Sequence, residues 1–250
     1  MKKFNYKEIG KEIGWNFAKM NYSVDHLSEY DYYKEVVKHI TPTTKMLDIG
    51  CGSAEKTTRF YSLANKIYLT DFEPEMLKKA KTNVEKYYEE IPNTKKKFYF
   101  EILDCNGPFN FPDNSFDLVV SRHCGANMKE VFRVLKKGGA FISEDYSSYD
   151  CQEIKELFNR GQNFNREPLF KMVMNDCLDA GFSEIKYLKF EEIEYYKTTD
   201  DLKYLLTHTP ILDFYNENQD DKILNKYVDK FLTSKGIKLN RRLYALTIKK

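Results

Sequence analysis

Residues 46–52, Met-Leu-Asp-Ile-Gly-Cys-Gly, constrain this chain more than any other stretch. They read as a short apolar strand running directly into a turn with two glycines. A second apolar stretch, Lys66–Thr70, ends in Asp71, 21 residues after Gly50. Glycines let a backbone approach a ligand closely, and a carboxylate on the neighbouring strand accepts hydrogen bonds from ribose hydroxyls. A nucleotide-type ligand lying across the top of a parallel sheet needs both.

The rest of the pattern supports such a sheet. Phe116–Ser121 is a continuous apolar run of the kind central parallel strands show. Further strands are expected at 45–50, 95–103 and 140–145, alternating with helices at about 53–64, 74–88 and 128–135. Ser53 is placed to cap the first of these helices, Pro74 suits the first turn of the second, and Gly138-Gly139 ends the third. Beyond Asp145 the expectation is a helix within 150–160, another over 168–180, and a strand over 182–190 that continues towards Tyr195. Helices near 199–207 and 218–235 and a closing strand at 241–249 follow. Strands 182–190 and 242–249 fit a hairpin-like pair at one sheet edge. The fold class is therefore α/β: a Rossmann-like, doubly wound sheet of about seven strands, mostly parallel with an antiparallel last strand.

With 250 residues and no low-complexity linker, a single domain is expected, comprising an N-terminal helical lid (1–43), a ligand-binding core (44–146) and a substrate-side insertion with closing strands (147–250). Residues 5–40 read as helical, with Tyr33, Val36, Val37 and Ile40 on one face. Net charge is only +2, from 40 basic and 38 acidic side chains, so nothing global advertises a polyanionic partner. No apolar run reaches the length of a membrane span, and the N-terminus lacks a signal-peptide core. Five scattered cysteines without a CxxC spacing fit a reduced, cytoplasmic protein and speak against a disulfide framework or a zinc site. No metal is expected.

Leu47–Gly52, Thr70-Asp71-Phe72, Leu103-Asp104-Cys105, Phe111–Asp117 and Leu135–Gly139 together resemble the class I S-adenosylmethionine-dependent methyltransferases, most closely the small type 11 methyltransferase domain. The resemblance covers about residues 44–146. It implies S-adenosyl-L-methionine as cofactor, with Gly50, Cys51 and Gly52 against its amino-acid part and Asp48 fixing the loop or meeting its ammonium group. Asp71 would take the ribose diol, Phe72 the adenine face and Asp104 the adenine amino group, with Cys105 beside it and Ser121 at the neighbouring strand end. Where the family often carries a third loop glycine, this chain has Ala54. A dinucleotide GxGxxG pattern fails at Glu55, which shifts weight from a nicotinamide cofactor.

Ser121-Arg122-His123-Cys124 stands where open α/β sheets place their ligands. There His123 is the candidate base or oxygen anchor, and Arg122 the candidate clamp for a carboxylate or phosphate. Tyr146 ends the next strand towards the same region. Trp15 and Tyr22, with Phe17, Tyr30, Tyr32, Tyr33 and the 195–216 aromatics Tyr195, Tyr196, His208, Phe214 and Tyr215, make a candidate lid and acceptor pocket. The tetrapeptide is not the Pro-Pro motif of base-amino methyltransferases, no Pro-Cys occurs, and residues 1–43 hold no cysteine for the zinc module of ribosomal guanine enzymes. The expectation is methyl transfer to O, N or S of a small molecule, with nucleic acid disfavoured. An RNA or protein methyltransferase and a non-catalytic cofactor-binding module remain the alternatives.

Overall fold

A computed structural model describes residues 5–13, 17–92, 96–164 and 168–250. In chain order its elements begin with α1 (Tyr6–Ile13), β1 (Tyr22–His26), α2 (Tyr32–Val37), β2 (Lys45–Ile49), α3 (Thr57–Phe60), β3 (Lys66–Asp71), α4 (Pro74–Glu90) and β4 (Phe98–Ile102). They continue with β5 (Phe116–Arg122), α5 (Met128–Val134), β6 (Leu135–Tyr146), α6 (Gln152–Phe158), α7 (Leu169–Ala180) and β7 (Glu184–Tyr196). The last are α8 (Thr199–His208), a 3-10 turn at Pro210–Leu212, α9 (Glu217–Phe231), β8 (Leu232–Thr233) and β9 (Gly236–Lys249).

The strands form one sheet in the order β1-β7-β9-β6-β5-β2-β3-β4, with the two-residue β8 turning back on β9. The pairs β4–β3, β3–β2, β2–β5 and β5–β6 are parallel. β9 runs antiparallel between β6 and β7. β2 and β5 are buried along nearly their whole length, because helices cover both faces. One face packs on α5 and α7 through Val131, Val134, Cys177 and Phe182. The other packs on α2 and α4 through Tyr32, Val36, Ala80 and Val84. The strand order reverses between β2 and β5, which opens a crevice above their carboxyl ends.

Three expectations need correction. The helix over 53–64 shrinks to the four residues of α3, because Ala54 adopts φ +55° and interrupts the turn; Ser53 caps nothing, and Lys56 stands at the cap position without a side-chain bond. Gly138, at φ +80°, does not end α5; it sits within β6 where the register against β5 shifts between Phe116 and Leu118, a bulge. Residues 184–190 of β7 do pair antiparallel with 243–249 of β9 at the sheet edge, as expected, and only the upper half of β7 gains a second neighbour. Residues 22–26, expected to be helical, form β1 and pair antiparallel with the upper half of β7, Tyr22 opposite Tyr196.

β9 is also longer than expected, 14 residues, and β7 runs 13 residues to Tyr196, in line with the expected continuation towards Tyr195. Their overhanging halves carry a third apolar cluster in which Tyr196, Ile237 and Leu239 pack with Ile154, Leu202, Leu206, Leu224 and Tyr227. α6, α8 and α9 thus form a cap beside the crevice. α8 starts cleanly because Thr198 and Asp201 make a reciprocal capping box. Among the described residues, no helix is long and apolar enough to cross a membrane.

Candidate active site

A cavity of about 1810 Å³ runs over the strand ends from β4 to β1. At one end lies the loop after β2. Gly50 and Gly52 take φ +69° and +56°, a left-handed conformation that glycine adopts without strain. A Cβ on Gly50 would come within 2.6 Å of Cys124 Sγ, whereas one on Gly52 would meet nothing within 4 Å. Gly50 therefore lets two strand-end loops touch, and Gly52 leaves open space above the backbone.

Asp71 closes this end. Its Oδ2 accepts the Gly52 amide (3.1 Å) and its Oδ1 the Glu73 amide (3.0 Å), leaving lone pairs on both oxygens for a diol. Burial raises its pKa, and the two amides hold the rise back. Asp48 lies deeper: its carboxylate accepts the Thr57 hydroxyl (3.0 Å), and Thr70 Oγ1 donates to its carbonyl (2.8 Å). Burial pushes Asp48 up to about 7, with the Thr57 bond opposing and the Asp71 charge adding. Phe72 is 53% exposed and Asp104 stands at the surface, its Oδ1 receiving the Asn106 amide (2.9 Å). Both border the cavity, as do Cys51 and Cys105. A hydrogen bond with Cys124 draws the Cys105 thiol down and drives the Cys124 thiol up.

Further along, β5 and β6 supply the next groups. Arg122 is engaged on one side: its Nε donates to Glu144 Oε1 (2.8 Å), and its guanidinium covers the ring of Tyr33 at 5.4 Å. His123 follows at φ +54°, its amide donating to the Glu144 carbonyl (2.8 Å). Its ring stacks on Tyr146 at 4.4 Å and 7°. The ring is 29% accessible yet enclosed by protein atoms, as in the wall of a deep cavity. That enclosure, then the charges of Arg122, Arg241 and Lys56, holds its pKa well below the usual imidazole range. It is neutral at physiological pH. Asp145 beside it is pushed up to about 6 by burial.

The other face of Tyr146 is covered by Arg241, whose Cζ lies 4.2 Å from the ring centre. Arg241 is 4% exposed and held on two sides, by Asp150 (3.0 and 3.1 Å) and by Glu194 (3.0 and 2.9 Å). Tyr196 donates to Glu194 (2.5 Å) and stacks on Tyr22 at 5.5 Å. An unbroken relay of rings and charges thus crosses from β5 to β1.

Most of the residues named from sequence meet in this one cavity: Asp48, Gly50, Cys51, Gly52, Asp71 and Phe72 at the loop end, then Asp104, Cys105, Arg122, His123, Tyr146 and Tyr22. Ser121 does not. It is fully buried, and its hydroxyl donates to the Cys124 carbonyl (2.5 Å), shaping the 121–124 bend. Trp15 lies outside the described residues. Of the 195–216 aromatics only Tyr196 borders the cavity; Tyr215 instead donates to Asp221, and His208 turns to the Tyr204 carbonyl. Sequence reading missed Arg241, Asp150, Glu194 and Lys155. Arg241 had a signal: it is the charge within the buried parity Ile237, Leu239, Arg241, Leu243 of β9.

The sequence profile of a methyltransferase domain matches residues 40–209, more than half of the chain. The chain belongs to the methyltransferase-domain family. Relatives include the 2-methyl-6-phytyl-1,4-hydroquinone methyltransferase of Synechocystis sp., 27% identical over 59% of this chain and 44% of that protein. Another is a tRNA N(3)-cytidine methyltransferase of Gallus gallus, 26% identical over 69% of this chain and 44% of that protein. This methyltransferase chain therefore spans less than half the length of either. Among solved structures, a Haemonchus contortus phosphoethanolamine N-methyltransferase complexed with phosphomonomethylethanolamine and S-adenosylhomocysteine shares the fold, with a TM-score of 0.56 at 15% identity, over 99% of this chain and 61% of that one. The methyltransferase domain uses S-adenosylmethionine, and the residues present fit it: the open space above Gly52, the unused lone pairs of Asp71, and a buried carboxyl at Asp48 suited to a cationic group.

Proposed function

We propose that this protein transfers a methyl group from S-adenosylmethionine to an oxygen, nitrogen or sulfur of a small-molecule acceptor. The carrying observation is the continuation of the cavity past the cofactor end, under β5, β6, β9, β7 and β1, with walls of Tyr22, Tyr32, Tyr33, Tyr146, Tyr196 and Leu243. Such walls suit a partly apolar acceptor and exclude water from the reacting pair. Among the described residues, eight carboxylates border the cavity against four lysines and arginines, which speaks against a polyanionic acceptor such as RNA.

When bound, the cofactor supplies an electrophilic methyl. Asp71 would hold its sugar and Asp48 its cationic end, with the 50–52 backbone against its amino-acid part. The rest of the acceleration comes from holding the acceptor atom in line with that methyl. Neutral His123, fixed between the Glu144 carbonyl and the Tyr146 ring, accepts a hydrogen bond from an acceptor O–H or N–H and orients its lone pair. Arg122 acts through the Glu144 pair, as a positioning residue. Residues 17–37 serve as the lid that completes the acceptor walls. A screen of metabolite classes with methyl-labelled S-adenosylmethionine, read by mass spectrometry, tests the reading. Labelled product from a small molecule and none from tRNA is expected; label on tRNA alone overturns it.

A further inference from the structure

Lys155 is 3% exposed, borders the cavity, and has no carboxylate within ion-pair distance of its ammonium among the described residues. Its stem is clamped where it lies: a Cβ on Gly161 would come within 2.7 Å of Lys155 Cγ, and the same Cβ within 2.4 Å of the Ile211 carbonyl. The glycine at φ +143° thus makes room for this lysine between α6 and the 3-10 turn. The carboxylate whose charge acts most on it, Asp150, already accepts two bonds from Arg241 and one from the Arg242 amide (2.9 Å). The groups whose charges reach Lys155 are Asp150, Cys151, Arg241 and Asp213, and burial lowers its pKa. The stem is buried and the ammonium, which keeps contact with the cavity, lacks an opposite charge among the described residues; proteins keep such a cation where a ligand supplies it.

We infer that Lys155 is the docking point for an oxyanion, a carboxylate or phosphate, carried by the methyl acceptor. The inference rests on the methyl-acceptor reading above and names the acceptor's class. α6 packs beside β9, two strands from β5 where His123 stands. Strands lie about 4.8 Å apart, which sets β9 roughly 10 Å from β5, so the anion sits well apart from the atom that receives the methyl. The acceptor is therefore elongated, apolar or aromatic in its middle, and anionic at its far end.

The test uses the full chain loaded with S-adenosylhomocysteine and two fluorescent probes of matched shape. 8-Anilino-1-naphthalenesulfonate carries the anion; N-phenyl-1-naphthylamine lacks it. Saturable binding of the sulfonate at one site is expected, weakened about tenfold or more in Lys155→Met and kept within about threefold in Lys155→Arg. The neutral probe should bind all three proteins alike. Lys155→Met should also unfold about 2–4 °C higher, since an uncompensated buried charge is gone. Equal sulfonate affinity in Lys155→Met, no saturable site in the wild type, or failure of Lys155→Met to fold overturns the inference. The probe contrast is repeated on cofactor-free protein. Loss of S-adenosylhomocysteine binding with the probe contrast kept would thus sink the cofactor reading and leave only the anion site at Lys155 standing.

Discussion

Gly50 shows how tightly a single residue can join two loops. Its φ of +69° and the 2.6 Å that a Cβ would leave to Cys124 Sγ are independent reasons for glycine. Gly50→Ala should destabilise the protein by about 2 kcal/mol, part from the left-handed backbone and part from the overlap. Denaturant titration should show Cys124→Gly recovering about half of that loss in the double variant, because it removes the overlap alone. Unchanged stability in Gly50→Ala would mean the two loops do not meet. Asp48 contributes a pH dependence. Its folded-state pKa of about 7 stands above the usual carboxylate value, so the folded protein binds a proton that the unfolded chain has already lost. Stability from this group is therefore complete below about pH 4 and is lost as pH rises to about 7. Asp48→Asn should raise the melting temperature more at pH 8 than at pH 5. A cationic cofactor reverses the preference, since it favours the ionised carboxyl. Its affinity in the wild type should climb between pH 6 and 8, by up to about tenfold, and calorimetry on Asp48→Asn should show a flat profile. The turn conformation of the two glycines and the place of Asp71 at the end of β3 beside them were legible, because a strand running into a tight turn leaves few alternatives. Arg241 and Lys155 were not, because their partners lie far off in sequence or are not protein at all.

Elements announced themselves unequally. β2, β3 and β5 were readable because strands covered on both faces must be apolar throughout. α4 was readable from Pro74 and the spacing of Met76, Leu77, Ala80 and Val84. α3 was not, because its loss depends on the φ of Ala54, which tertiary packing imposes. β1 was missed for another reason: Tyr22–His26 is a polar edge strand, and its alternation is set by β7 rather than by its own composition. That pairing gives β1 a task. It places Tyr22 on Tyr196 and so extends the acceptor wall without touching Asp71 or the glycine loop. A chain lacking residues 1–30 should bind S-adenosylhomocysteine within about twofold of the wild type, by calorimetry, and lose acceptor turnover. Retained turnover would show that the wall is complete without β1.

At the scale of the molecule, the sheet behaves as two joined halves. The parallel half, β4-β3-β2-β5-β6, builds the cofactor end from residues close in sequence, and local patterning revealed it. The antiparallel half, β9-β7-β1, builds the acceptor end from segments as distant as Tyr22 and Arg241, so no window of sequence displays it whole. The charges separate in the same way. The lysine clusters Lys78-Lys79 and Lys136-Lys137 lie off the cavity, Lys136 paired with Asp117 at 2.7 Å below the strand tops. The cavity's own border carries the acids. A nucleic-acid footprint requires basic groups on the ligand face, and binding through them weakens steeply with salt. With a net charge of +2 spread this way, labelled tRNA should show no saturable binding at about 150 mM salt, and any retention at low salt should vanish without regard to cofactor. Were tRNA to bind more tightly in the presence of S-adenosylhomocysteine, the two sites would be coupled by linkage. The acid-rich border would then be the wrong guide to the acceptor.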